Sequence, residues 1–351
     1  MSARGYRLCN IDVMKNTSLK GKRVLVTGAT GFVGSRLARR LMQKGASVRA
    51  LVRQSSNRET AEDLKRNGIE VCYGDITDRQ SISDAVKHVE YIFHIAALFR
   101  SAKHAESVFY EVNVEGTRNV LSAAERENVK RVVHCSTGGV HSHIPHPPAT
   151  EEEPYRPGDI YQLTKCEGEK LAKERFTSGR VKGTIIRPAM IWGQGDTRTL
   201  KLFRGVARRR FPIIGSGRTL THWVDVEDLA EGFILAAEQE AAIGQTYILA
   251  GEKSVSLEEL VRTISRIAGV RPLPFKIPAR PVQLLGSLTE AICKPLNLEP
   301  ILYRRRVDFF TKTRSFDSSK ARKDLGFAPR RSFEAEVQNI FDWYEQHGWL
   351  A

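Results

Sequence analysis

The stretch TGATGFVGSRLARRL (27–41) sets Gly28, Gly31 and Gly34 at the spacing G-x-x-G-x-x-G. Glycine inside a helix costs about 1 kcal/mol relative to alanine, so glycines placed where a helix begins need a reason. KRVLVTG (22–28) is an apolar run bounded by glycine and reads as a buried parallel strand. Beyond it, Val33, Leu37, Leu41 and Met42 share one face and Arg or Lys the other, which predicts an amphipathic helix ending at Gly45. Strand, glycine turn and helix together form a phosphate cradle. The first glycine makes the turn, the second lets a pyrophosphate approach the backbone, and the third lets helix and strand pack closely. The helix N-terminus offers free N–H groups to the anion.

GASVRALVR (45–53), NGIEVCYGDITD (67–78), VEYIFHIAAL (89–98) and VKRVVHCST (129–137) read as four further strands separated by helical segments. This alternation predicts an α/β fold, a Rossmann-type doubly wound parallel sheet with right-handed crossovers and a smaller C-terminal substrate-binding domain. A chain of 351 residues forms one large domain or two. The expected division is a flexible extension over 1–19, a dinucleotide-binding domain over 20–187, and a mainly substrate-binding region over 188–351. Residues 222–250 are expected to return to the sheet. The Pro-rich, acidic IPHPPATEEEPYRPGDI (144–160) predicts a lid-like loop before the next helix.

The formal net charge is +15. Its Lys and Arg are spread along the chain, with small clusters at 207–210 and 303–306, and no nucleic-acid module is visible. The charge reads instead as a basic face for an anionic cofactor, an anionic substrate or an anionic membrane surface. Cys9, Cys72, Cys135, Cys166 and Cys293 form no C-x-x-C pair, which fits reduced thiols in the cytoplasm. No run of 18 apolar residues and no signal-like apolar segment occurs. A cytoplasmic protein is expected, with peripheral membrane contact and a homodimer left open, and with no metal site.

YQLTK (161–165) places Tyr161 and Lys165 on one face of a helix, and HCSTGGV (134–140) ends the fifth strand with Ser136 and Thr137. Ligands of open α/β sheets sit at such strand ends. A free phenol has a pKa of about 10, whereas a general acid or base works best near 7. A Lys ammonium and the positive nicotinamide ring of an oxidised cofactor would stabilise the phenolate, a shift of roughly three units or about 4 kcal/mol. Thr137 would hold the substrate oxygen, and Lys165 would also hold the nicotinamide ribose.

TGATGFVG (27–34), GDITD (74–78), HIAA (94–97), NVEGTRNV (113–120), CSTGGV (135–140), YQLTK, IIRPAMIWG (185–193), HWVDVEDLA (222–230) and FDSSKARKDLGF (316–327) follow one another in a familiar order. The chain resembles the extended short-chain dehydrogenases/reductases. These form the NAD-dependent epimerase/dehydratase superfamily, which includes 3β-hydroxysteroid dehydrogenases and dihydroflavonol-type reductases. The resemblance implies Thr137, Tyr161 and Lys165 as the catalytic set. It implies cofactor contacts from Gly28, Thr30, Gly31, Phe32, Val33, Gly34 and Asn113, and from Tyr161 and Lys165. Asp75 and Ile76 would flank the adenine, Ala96 and Ala97 the ribose and phosphates, and Pro188 the carboxamide.

At the end of the second strand Val52 stands where NAD enzymes carry an acid, and Arg53 follows, which suits a 2′-phosphate. NADP(H) is therefore expected in preference to NAD(H). Dehydratases of the nucleotide-sugar branch carry Asp-Glu after the catalytic Thr, where this chain has Gly138 and Gly139. The epimerases often hold a diphosphate with an Arg where this chain reads THWVD; Arg218, Arg306 or Arg314 could substitute. The substrate side is expected to involve Thr137, loop residues His141 and His143, Trp192, Arg218 and Arg306, and the apolar segment 277–306. The expected activity is interconversion of a secondary alcohol and a ketone on an apolar, steroid-, lipid- or flavonoid-like small molecule. Two alternatives are a nucleotide-sugar epimerase or reductase with retained NAD, and a non-catalytic dinucleotide-binding scaffold.

Overall fold

The computed structural model describes residues 18–100, 104–293 and 304–351. The first half alternates β1 (Arg23–Thr27), α1 (Phe32–Gln43), β2 (Ser47–Val52), α2 (Arg58–Arg66), β3 (Glu70–Tyr73), α3 (Arg79–Val86), β4 (Tyr91–His94), α4 (Glu106–Tyr110), α5 (Gly116–Arg126), β5 (Arg131–Cys135), α6 (Ile160–Thr177) and β6 (Gly183–Pro188). There follow β7 (Met190–Trp192), α7 (Thr197–Ala207), β8 (Ile213–Ile214), β9 (Leu220–Asp225), α8 (Val226–Glu238), β10 (Thr246–Leu249), β11 (Ser254–Ser256) and α9 (Leu257–Ile267). The chain closes with β12 (Lys276–Ile277), α10 (Ala279–Cys293), α11 (Arg304–Thr311), α12 (Ser319–Leu325) and α13 (Phe333–Gln346).

The main sheet has seven parallel strands in the order β10-β6-β5-β4-β1-β2-β3. Helices cover both faces, so strands such as RVVHC and GTIIRP are buried along their whole length. The winding direction reverses between β1 and β4. That is the switch point where the crevice of an open α/β sheet lies. After β9, α8 packs along α1, where Glu231 pairs with Arg40 at 3.1 Å and Lys44 at 2.5 Å. β10 then joins the main sheet beside β6.

A second sheet, β11-β9-β7, carries its own apolar cluster with α7, α9 and α13, built around Trp192, Phe203, Trp223 and Phe333. Between α4 and α5 the chain makes a π-helical turn, Glu111–Glu115. In α10, Leu284 and Leu285 are 67% and 55% exposed. Most of the extension expected over 1–19, and residues 294–303 of the apolar segment, lie outside the described residues.

Candidate active site

The glycine spacing is explained by close contacts. Gly28 has φ +71°, and a Cβ there would stand 2.8 Å from the Ala96 backbone. A Cβ on Gly34 would stand 2.2 Å from the Gly28 carbonyl oxygen. Thr27 Oγ1 accepts from the backbone N–H groups of Ile95 and Ala96 at 3.2 Å and bonds His94 Nδ1 at 2.9 Å, which fixes the opposing turn. Helix α1 starts at Gly31 with no side-chain cap and no acid in its first turn. By contrast α2, α3, α6, α7, α8, α9 and α13 are each capped by an Asn, Asp or Ser. The uncapped N–H groups at Phe32 and Val33, beside partly buried Thr30, fit a pyrophosphate.

Around this cradle, Asp75 Oδ1 accepts from the Thr77 amide at 2.9 Å, and Ile76 is buried against Gly116. Ala97 is partly buried beyond β4, and exposed Arg53 follows buried Val52 at the end of β2. Asn113, in the π-helical turn, is buried and ties two elements together. Its Oδ1 accepts from the Leu98 amide at 2.8 Å, and its Nδ2 donates to Leu98 O at 3.2 Å and Thr164 Oγ1 at 3.0 Å. The turn beyond β4 is thereby fastened to the helix that carries Tyr161 and Lys165.

Asp159 caps α6 by accepting from the Gln162 amide at 2.8 Å, which starts the helix two residues before Tyr161. Thr137, just beyond β5, accepts from the Gly139 amide at 3.0 Å and is close enough to the Tyr161 phenol to oppose the rise in its pKa. Lys165 is buried and donates to the Cys135 carbonyl at 2.6 Å. Burial pushes its pKa down, with Cys135 and Glu169 opposing the shift. The phenol differs from the sequence-based expectation of a lowered pKa. Burial pushes Tyr161 up, and the cation that most opposes the rise is Arg100 rather than Lys165. Arg100 was not legible as a site residue, because only the fold brings the loop after β4 over α6.

One turn beyond Lys165, Glu169 anchors α6 to the strands. It accepts from Ser136 Oγ, from Tyr155 Oη at 2.7 Å and from Arg187 Nη2 at 2.6 Å, with Glu169 and Arg187 both buried. His141 belongs to this network and not to a substrate entrance. It is buried, stacks beside Tyr155, and meets Arg187 Nη1 at 3.3 Å. His141, expected on the substrate side, is thus a buried side chain held beside the Arg187 guanidinium. His143 is exposed and bonds the Thr313 amide at 3.1 Å.

Trp192 is likewise corrected from pocket wall to core. It is fully buried, stacks on Trp223 at 4.7 Å, and donates its indole N–H to Glu336 at 2.6 Å. Arg218 is exposed in the loop between β8 and β9, while Arg306 falls in α11 with its side chain outside the described residues. Pro188 ends β6, and its carbonyl closes over Gly138. A Cβ on Gly138 would meet the Phe316 ring at 2.6 Å and Pro188 O at 3.0 Å. The position that bears an acid in dehydratases is filled here by an aromatic ring.

The family model described as "NAD dependent epimerase/dehydratase family" matches residues 24–250. A 4-hydroxy-2-methyl-3-oxo-4-farnesyl-3,4-dihydroquinoline-1-oxide ketoreductase of Stigmatella aurantiaca is 31% identical, over 88% of this chain and 92% of that protein. Sterol demethylase protein B of Methylococcus capsulatus is 29% identical, over 93% of this chain and 99% of that protein. The crystal structure of gox2253 superposes with a TM-score of 0.78 at 32% identity, covering 94% of this chain and 100% of that one. The chain belongs to the NAD-dependent epimerase/dehydratase family and is an enzyme of the extended short-chain dehydrogenase/reductase type.

Proposed function

We propose that the chain is an NADP(H)-dependent oxidoreductase that interconverts a secondary alcohol and a ketone on a largely apolar substrate. The observation that carries this reading is that α6 brings Tyr161 and Lys165 to the end of β5, where buried Lys165 donates to Cys135 O at 2.6 Å and Thr137 follows two residues on. When bound, the dinucleotide supplies or accepts the hydride. The chain supplies the proton: with its pKa held up by burial, Tyr161 is a neutral phenol that donates to the carbonyl oxygen on reduction and recovers the proton on oxidation. Thr137 bonds the same oxygen. Lys165, tethered to Cys135 O, keeps donors for the ribose.

Arg53 at the end of β2, with no acid beside it, supports NADP(H) over NAD(H). The absence of room for an acid at Gly138 disfavours dehydration. Two relatives whose names specify a farnesyl-bearing quinoline and a sterol support an apolar substrate. Exposed Phe275, Leu284 and Leu285, near Arg280, support peripheral contact of a cytoplasmic enzyme with an anionic membrane.

The test is a paired assay of hydroxysteroids and long-chain hydroxyketones against nucleotide-diphosphate sugars, with sedimentation on anionic liposomes. Turnover of the apolar alcohols is expected. Turnover of the sugars alone, with no liposome binding, would transfer the protein to the epimerase reading.

A further inference from the structure

The two walls of the crevice are joined from outside the main sheet. One wall is the N-terminus of α1, where Phe32 is the first helical residue after Gly31. The other is the loop after β4, which Asn113 holds at Leu98 and which carries Phe99. The Arg198 guanidinium carbon stands 5.3 Å from the centre of the Phe32 ring and 5.9 Å from that of Phe99. Phe99 in turn meets the Tyr161 ring edge-on at 5.0 Å between centroids. One cation thus touches a ring of the phosphate cradle and a ring that packs on the phenol. At such distances a guanidinium is attracted by the electron-rich ring faces.

Arg198 belongs to the second core. It stands in the first turn of α7, and Asp196 before it fixes the guanidinium: Nε donates to Oδ1 at 2.8 Å and Nη2 to Oδ2 at 3.1 Å. Nη2 also donates to the Ile191 carbonyl of β7 at 3.1 Å. Asp196 is itself buried, with Thr199 Oγ1 donating to Oδ2 at 3.2 Å and the Tyr344 hydroxyl of α13 donating to its carbonyl. The mounting points are firm, and the ring contacts between them are not. Phe99 is 48% exposed and the Arg198 side chain 41%, so these contacts can part by side-chain rotation while both cores stay packed.

We propose that Arg198 is a positioning residue that clasps the two walls of the crevice together, so that the dinucleotide enters and leaves only when the Phe32–Arg198–Phe99 contacts part. The proposal rests on the reading that the α1 cradle takes the pyrophosphate. The crevice lies between β1 and β4, and the two rings follow those two strands, so a cation touching both lies across its mouth. None of these contacts is made to the cofactor, so the clasp resists entry and exit alike. It sets how fast the cofactor is exchanged and leaves its affinity nearly unchanged. An oxidoreductase must trade oxidised for reduced cofactor at each turnover, so such a clasp bears on the rate of the whole cycle.

The experiment is stopped-flow mixing of the full chain with NADPH and, in parallel, with NADH, read by nicotinamide fluorescence in the absence of substrate. Arg198→Gln keeps a donor for Asp196 and loses the cation. It is expected to raise both the association and the dissociation rate constant about tenfold, with Kd within about threefold and the melting temperature unchanged. Phe99→Leu, which leaves Asp196 untouched, is expected to do the same. The double variant is expected to be no more than about twofold faster than either single one, because each breaks the same bridge. Arg198→Lys keeps a cation near the rings and is expected to fall between wild type and Arg198→Gln. Unchanged rate constants in both single variants, or single effects that multiply in the double variant, would overturn the proposal. Faster dissociation alone with a weakened Kd would also overturn it and make Arg198 a direct contact of the cofactor. Slower association with a lowered melting temperature would overturn it and make Arg198 a prop of the fold. Wild-type protein that binds neither nucleotide would overturn the cradle reading as well, whereas the other contrary results leave that reading standing.

Discussion

At Arg53 the proposed preference for one cofactor over another rests on a single side chain. The residue is exposed at the end of β2, where an acid would hold a ribose 2′-hydroxyl, and it is free to meet a 2′-phosphate. Arg53→Ala is expected to weaken NADPH about tenfold or more while leaving NADH within about threefold, measured by fluorescence titration. Tighter binding of NADH by the wild type would show that Arg53 is only a solvated strand-end residue. The close packing at Gly28 and Gly34 was legible in the sequence because it follows from position relative to a strand end. Arg100 was harder to read. It meets Tyr161 and Asp159 only because the fold brings the loop after β4 over α6. His141 differs too: its loop position suggested the substrate side, whereas Arg187 and Tyr155 hold it inside.

At the scale of elements, α6 is the lever of the site, and its position depends on the ion pair one turn behind Lys165. Glu169 and Arg187 are buried together, so removing either leaves an uncompensated charge. Arg187→Met is expected to destabilise the fold by about 3–5 kcal/mol in urea unfolding. Loss of less than about 1 kcal/mol would mean that the network does not anchor the helix. A second element-level prediction concerns α13 against β7. Burial pushes Glu336 up to about 8, with the Trp192 N–H opposing the shift and Asp225 and Asp228 adding to it. Its ordinary value is 4.5, so its contribution to stability is full below about pH 4.5 and is lost as pH rises through about 8. Wild-type stability should fall by about 2 kcal/mol between pH 6 and pH 8 through this group. Glu336→Gln should flatten that fall, and an unchanged pH slope in the variant would refute the assignment.

Across the whole molecule, the parallel core was legible because βα alternation leaves few ways to order the strands, and the observed order reverses between β1 and β4. The second sheet was not. β7, β9 and β11 are short strands whose pairing depends on contacts far apart in sequence, so Trp192 could pass for a pocket residue when it is the centre of a separate core. The chain passes from the main sheet to the second where β6 runs through Pro188 toward β7, and the Pro188 carbonyl lies against Gly138 after β5. The central claim is that a proton from Tyr161 accompanies hydride transfer at this junction. The measurement that tests it most directly follows deuterium from 4-deuterated NADPH onto the carbinol carbon of apolar ketones, in wild type and in Tyr161→Phe. The account predicts label at that carbon in the wild type and a rate lower by about a thousandfold in the variant, with NADPH affinity unchanged. Label transfer within tenfold of wild type by Tyr161→Phe, or product without label, would contradict it.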